Sequence, residues 1–200
     1  MSIIQSSKAL QNAASLVHLH ASDMVPVEGR SDILILDFRN RKELFTHELR
    51  NVVATYNKVD FVSIAEQERE NGVNIEWRRY IEYACIFTPL NAQPTETLVA
   101  IVLPDLEGLT KDTIDTNVHP PTNAPKPLDT HRQSPAQQQL SGKPVSKENA
   151  VVSSERQEIH EGQAPQVGYI LTAYGKGAIV PKPGGLTIVL IRYERKARLE

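Results

Sequence analysis

The middle of the chain has a composition that cannot form a packed core. From Lys111 to Pro165 there is no aromatic residue, and this stretch holds seven of the thirteen prolines in the sequence. It also contains a glutamine run among scattered Ser, Thr, Asn and Lys residues. So little apolar surface does not offset the entropy lost on ordering. Residues 111–165 are therefore predicted to form a long disordered polar insert rich in Pro and Gln.

The segments on either side of the insert have strand-like patterns. Apolar side chains occupy every second position from Val73 to Phe87, which predicts a long strand with one buried face. Arg79 interrupts that face, so we expect a β-bulge or a sheet edge near it. A second strand, Thr97–Leu103, follows a short turn and is predicted to be the antiparallel neighbour of the first. Leu186–Tyr193 is the last strong strand of the chain.

Helical signals are fewer. Residues 3–20 show only modest helical spacing, and residues 1–30 are predicted to form an N-terminal arm that orders only against something else. Asn40, followed three residues later by Glu43, resembles a helix cap with its reciprocal carboxylate. The apolar residues of Phe45–Tyr56 then fall on one helical face, with a separate strand at Val52–Tyr56 as the alternative.

These elements predict a mainly β protein. Because turns rather than repeated helices join the strands, we expect an antiparallel jelly-roll-like sandwich with one or two short helices. The predicted organisation is an arm at residues 1–30, one β-rich domain from residues 31–110 and 166–200, and the disordered insert at 111–165. No apolar run in the sequence reaches transmembrane length.

Composition narrows the classes of function. The formal net charge of −2 gives no global attraction to polyanions, so a nucleic-acid contact would need a local basic patch. Cys85 is the only cysteine, which excludes an intrachain disulfide and a cysteine-based zinc cluster. It lies on an apolar strand face and is predicted to be a small buried hydrophobe. We predict no catalytic residue, no cofactor and no metal, and we expect a non-enzyme.

Two pairs of residues resemble parts of metal-binding motifs. His18 and His20 are two residues apart, a spacing that places both imidazoles on one face of a strand. A metal site needs a further ligand, and nothing in the sequence selects one. They are therefore interpreted as solvated side chains. His47 and Glu48 lack the second histidine of the zinc-protease helix motif, because Asn51 occupies that place.

The end of the chain is basic. The cations are Arg192, Arg195, Lys196 and Arg198. If the strand continues, Arg192, Lys196 and Arg198 emerge from one face and Tyr193 and Arg195 from the other. Cations spaced along a strand can follow phosphates, and Arg78 would join them if the two strands are neighbours. The alternative is a charged strand end that keeps a sheet edge soluble.

Two segments resemble a known family. The apolar strand Leu98–Leu103 runs through Pro104 into Asp105, and Gly185–Lys196 is an apolar strand with a basic exit. Both resemble the thirty-kilodalton superfamily of plant-virus movement proteins, in which an aspartate closely follows the corresponding strand. Asp105 occupies the position of that aspartate. Pro104 and the length of the polar insert depart from the family pattern.

The resemblance implies a jelly-roll-like domain that binds single-stranded nucleic acid without sequence preference. It also implies a viral protein of the host cytoplasm and plasmodesmata that aids cell-to-cell transport of the viral genome. The implied partners are single-stranded nucleic acid, further copies of the chain, and host or viral proteins that contact the insert. Two alternatives stay open: a small jelly-roll capsid or structural protein, and a β-barrel enzyme or ligand-binding protein with an undisclosed pocket.

Overall fold

The computed structural model describes residues 1–70, 73–110 and 165–197. For residues 73–79 and 195–197, and for a few positions in the third helix, only the backbone is described. In chain order the elements are β1 (Ser2–Ile4), α1 (Lys8–Ser15), β2 (Met24–Val27), β3 (Arg30–Leu36), α2 (His47–Thr55), α3 (Phe61–Glu70), β4 (Val73–Ile86), β5 (Leu90–Asn91), β6 (Glu96–Val102), β7 (Ile170–Tyr174), β8 (Ala178–Ile179) and β9 (Leu186–Ala197).

Seven of these strands form one sheet in the order β1-β7-β6-β9-β4-β3-β2, and β5 pairs with β8 in a small second sheet. Every neighbouring pair is antiparallel. The prediction that β4 and β6 are neighbours is wrong, because β9 lies between them and pairs with both. β9 is apolar on both faces, which suits this central position. The short segment between β4 and β6 contains β5, which pairs with β8 in the second sheet.

The long predicted strand is confirmed as β4, and so is the bulge near Arg79. The β4–β9 register shifts between Ile75 and Trp77, and again between Arg78 and Tyr80. Arg79 is thus the extra residue of the second bulge. Beyond it, side chains alternate as expected, with Tyr83 and Cys85 in the core on one side of the sheet.

Helices cover one side of the sheet, which we call the helix face. Its core contains Leu49 and Val52 of α2 and Tyr56, which directly follows α2. These side chains pack with Val189 and Ile191 of β9. The predicted helix is confirmed, and the strand alternative at Val52–Tyr56 is wrong. The helix starts later than predicted: α2 begins at His47 with the Thr46 hydroxyl accepting from the Leu49 amide at 3.4 Å.

Residues 1–30 differ from the predicted arm, because they form β1, α1 and β2 of the same domain. Leu10 of α1 is fully buried in the helix-face core. The Ser7 hydroxyl accepts from the Leu10 amide, and Asp60 accepts from the Ser7 amide and hydroxyl, each at 2.8 Å. At Gly168 (φ +84°) a Cβ would lie 2.5 Å from Cα of Gln11. The Ser7 cap, which a distant aspartate holds in place, and this close approach explain why weak helical spacing still forms a docked helix.

The opposite side of the sheet, the small-sheet face, is covered by β5 and β8. Leu90 and Ile179 pack there with Leu98, Ile188 and Leu190 of the large sheet. The prediction of a mainly antiparallel β protein with short helices is confirmed. The described residues do not confirm a jelly-roll, because helices rather than a second large sheet cover the helix face.

The predicted disordered insert, residues 111–165, lies outside the described residues except for Pro165. Among the helices that are described, none has both the length and the apolar character needed to cross a membrane.

Candidate nucleic-acid interface

The N-terminal end of β4 and the C-terminal end of β9, which we call their outer ends, form a two-stranded ladder. β6 pairs with β9 only as far as Glu194, which lies opposite Glu96. Beyond that point, within the described strands, Arg195–Ala197 pair only with Val73–Ile75 of β4. We define the basic ladder as residues 73–80 of β4 and 192–197 of β9.

Cations outnumber acids in the basic ladder. It holds five cationic residues, which are Arg78, Arg79, Arg192, Arg195 and Lys196, and two glutamates, Glu76 and Glu194. The whole chain, in contrast, has a formal net charge of −2. The pairing therefore concentrates positive charge at one end of the sheet.

The register joins the predicted cations of both strands. On the backbone, Arg78 lies opposite Tyr193, while Arg195 and Lys196 lie opposite Ile75 and Asn74. The condition under which Arg78 would join the C-terminal cations is met, because β4 and β9 are neighbours. Arg198 lies outside the described residues.

Arg192 differs from the other predicted contacts, because its guanidinium is engaged inside the protein. Its side chain is 16% exposed, and Nη1 donates to Oε2 of Glu96 at 3.2 Å. Its Cζ lies 5.3 Å from the centroid of the Tyr80 ring. Nε is buried and has no hydrogen-bond partner in the described part of the chain. Arg192 therefore links β9 to β6 and β4 at the base of the basic ladder.

A second carboxylate lies near this arginine. Glu82 of β4 is half-buried on the same side of the sheet, and burial raises its pKa above the ordinary value of 4.5. The charges of Arg192 and Arg39 act in the opposite direction. Burial likewise raises the pKa of Tyr80. The base of the ladder is thus poorly solvated, in contrast to a freely hydrated charged strand end.

Asp105, the aspartate of the family-like motif, lies at the surface beyond β6. Its side chain is 71% exposed, and Oδ1 is 2.8 Å from Nζ of Lys182. Lys182 precedes the turn that leads into β9. The structure therefore places Asp105 in an exposed ion pair at the inner end of β9, away from the basic ladder.

Cys85 is buried, as predicted. It is 1% exposed, and burial raises the pKa of its thiol to about 11. Gly185 (φ +96°) lies against it, where an added Cβ would be 3.3 Å from Sγ and 2.8 Å from Cε1 of Phe87. A neutral, enclosed thiol is not a nucleophile.

His18 and His20 are exposed, as predicted, but they are not alone. Both face Glu107, which follows β6, at 3.0 and 3.4 Å. No local pattern points to this partner, since it lies 89 residues from His18 and is brought there by one isolated β-bridge with His20. Within the described ranges, no group of three His, Cys, Asp or Glu side chains is already arranged to hold a metal ion.

No family model, curated protein or solved structure matches this chain. The charge distribution on the sheet, and not a relative, therefore bears on the function.

Proposed function

We propose that this protein binds single-stranded nucleic acid without sequence preference through the basic ladder. As a movement-type protein it would carry a viral genome from cell to cell through plasmodesmata. One observation carries the binding proposal: the β4–β9 pairing brings Arg78 and Arg79 to the strand that bears Arg195 and Lys196. Cations on two adjacent strands neutralise phosphates together, and such contacts carry no sequence information.

The proposal assigns different roles to the predicted cations. Arg192 is a positioning residue, because its ion pair with Glu96 holds the base of the ladder and leaves little of the guanidinium exposed. The phosphate contacts are assigned to Arg78, Arg79, Arg195 and Lys196. Along one strand, neighbouring residues are about 3.3 Å apart, and the two strands lie about 4.8 Å apart. Arg195 and Lys196 lie two and three residues beyond Tyr193, the partner of Arg78, so the cations of the two strands are offset along the ladder. A flexible single strand adapts to such a row more readily than a rigid duplex.

Fluorescence anisotropy with a labelled oligouridine tests this assignment. The variant carries Arg78→Gln, Arg79→Gln, Arg195→Gln and Lys196→Gln, which keep polar side chains on the strands. We expect weaker binding and a slope of log K against log salt that is about 3 units shallower, because each phosphate contact on a single strand contributes about 0.7. Oligouridine and oligoadenine are expected to bind alike.

A matched control removes the same charge elsewhere. Lys8, Lys42, Lys58 and Lys176 are exposed and lie outside the basic ladder. Changing all four to Gln is expected to leave the salt slope close to that of the wild type. An equal loss in both variants, or a wild type that does not bind, contradicts the proposal. Plasmodesmal localisation of a fluorescent fusion tests the transport role separately, since binding can hold without it.

A further inference from the structure

His18, Leu19 and His20 form an extended segment that leads into β2. Leu19 is buried, whereas the side chains of His18 and His20 are 71% and 57% exposed. Alternation thus brings both imidazoles out on one side of the segment. There, Nδ1 of His18 is 3.0 Å from Oε1 of Glu107, and Nδ1 of His20 is 3.4 Å from Oε2 of Glu107.

The backbones that carry these three side chains are fixed to each other. The Ala21 amide donates to the Glu107 carbonyl at 2.8 Å, and the Glu107 amide donates to the Leu19 carbonyl at 2.8 Å. Each hydrogen bond lies next to a histidine, so the Cα positions of the trio are held. The rings and the carboxylate, which is 50% exposed, remain able to rotate.

We propose that His18, His20 and Glu107 bind a divalent first-row transition ion, with Zn²⁺ as the probe. Two ligands about 2.1 Å from zinc, at angles between octahedral and tetrahedral, are separated by about 3.0–3.4 Å. The two nitrogen–oxygen distances fall at the ends of that range. Two imidazoles and one carboxylate are ligands that suit zinc, and water completes the coordination.

The three side chains do not yet surround one point in the described structure. Each imidazole faces its own oxygen of Glu107, and Nδ1 of His18 shares a hydrogen bond with it. Because all three side chains are at least half exposed, small rotations bring the ligand atoms together without moving the core. The ion would replace one hydrogen bond and one longer contact, both of which are exposed to water and therefore weak.

The neighbourhood on α2 favours a cation. Glu48 lies close enough to His18 and His47 for their charges to contribute to a lowered pKa, although its own backbone amide and the Thr46 hydroxyl contribute more. Glu48 therefore places a carboxylate near the trio. His47 supplies a nearby imidazole outside the trio, which makes it the matched control.

Isothermal titration of the full chain with ZnCl₂, after stripping with EDTA, tests the proposal. We expect one equivalent to bind and the melting temperature to rise with free Zn²⁺, because the ion binds the folded state. His18→Asn, His20→Asn and Glu107→Gln are each expected to weaken binding by about 10–100-fold, as loss of metal-site groups does. All three positions are exposed, so the melting temperature without zinc is expected to stay unchanged.

Two controls separate this site from other histidines. His47→Asn is expected to keep the stoichiometry and affinity of the wild type. A variant with His119, His131 and His160 all changed to Asn, positions that lie outside the described residues, is expected to do the same. Absence of zinc binding in the wild type overturns the proposal. So does binding that survives in the variants of His18, His20 and Glu107, or that disappears in either control.

Discussion

The two halves of β9 have different surroundings. Every side chain of Leu186–Ile191 is at most 2% exposed, because β4 and β6 flank this half and a core covers each face. In the outer half Glu194 is partly exposed, and beyond it β9 pairs with β4 alone among the described strands. One continuous strand thus contains a stretch that permits almost only apolar residues and a stretch that permits charges.

Arg192 marks the boundary between these halves. It lies on the small-sheet face directly after Leu190 in the alternation, yet it carries a charge that Glu96 must balance. The difference between the halves teaches that the number of neighbouring strands, and not the strand pattern alone, decides which positions tolerate charge. The inner half supports the fold, and the outer half is free to serve the proposed binding.

The largest effect is expected in the inner half. Ile191 is fully buried on the helix face, and Ile191→Ala is expected to lower the free energy of unfolding by about 3 kcal/mol, since the lost transfer energy and the cavity add. Urea denaturation followed by circular dichroism measures it. Val180→Ala, at a side chain that is 50% exposed, is the control and is expected to cost less than about 0.5 kcal/mol. Equal losses would contradict the division between enclosed and open positions.

A smaller effect is expected at the boundary. Glu96 is 2% exposed, and Glu96→Gln leaves the largely buried Arg192 without its carboxylate. We expect a loss of about 2 kcal/mol in the same denaturation experiment, as for hydrogen bonds to charged groups. The double variant Glu96→Gln with Arg192→Leu removes both charges and is expected to be more stable than Glu96→Gln alone. A double variant whose loss equals the sum of the two single losses would show that the pair is not coupled.

Local patterns in the sequence predicted much of the sheet. Alternation along β4 predicted a long strand, a bulge or a sheet edge near Arg79, and the burial of Cys85. The long strand, the bulge and the burial are confirmed. Alternation at the end of β9 placed Arg192 and Tyr193 on opposite faces, which is also confirmed. These features depend on period and apolar content, which a sequence contains directly.

Features made by distant parts of the chain were not predictable in this way. The position of β9 between β4 and β6 depends on pairing across the insert, and no local pattern reports it. The partner of Arg192, Glu96, lies 96 residues away, and Asp60, which holds the Ser7 cap of α1, lies 53 residues from that serine. The apolar content of α1 alone is low, so its stability comes from packing and capping that the sequence does not reveal.

The smallest effect concerns pH and compares two carboxylates. At the inner end of β4, hydrogen bonds from Arg30, and then the Thr88 hydroxyl, hold the pKa of Asp32 at about 2, below its ordinary 3.8. Asp32 therefore stabilises the fold above pH 3.8, and this contribution is lost as the pH falls toward 2. Because the pair is partly solvated, we expect about 1 kcal/mol.

Glu82, on β4 beside the boundary, has the opposite sign. Burial raises its pKa above 4.5, so its contribution is present below pH 4.5 and is lost as the pH rises through the higher folded value. Unfolding by denaturant, measured between pH 2 and 7, tests both signs. The wild type is expected to lose stability as the pH falls toward 2, and Asp32→Asn is expected to abolish that loss. Glu82→Gln is expected to remove a loss on the alkaline side of pH 4.5. If both substitutions changed the same pH range, the contrast between the locally paired Asp32 and the desolvated Glu82 would fail.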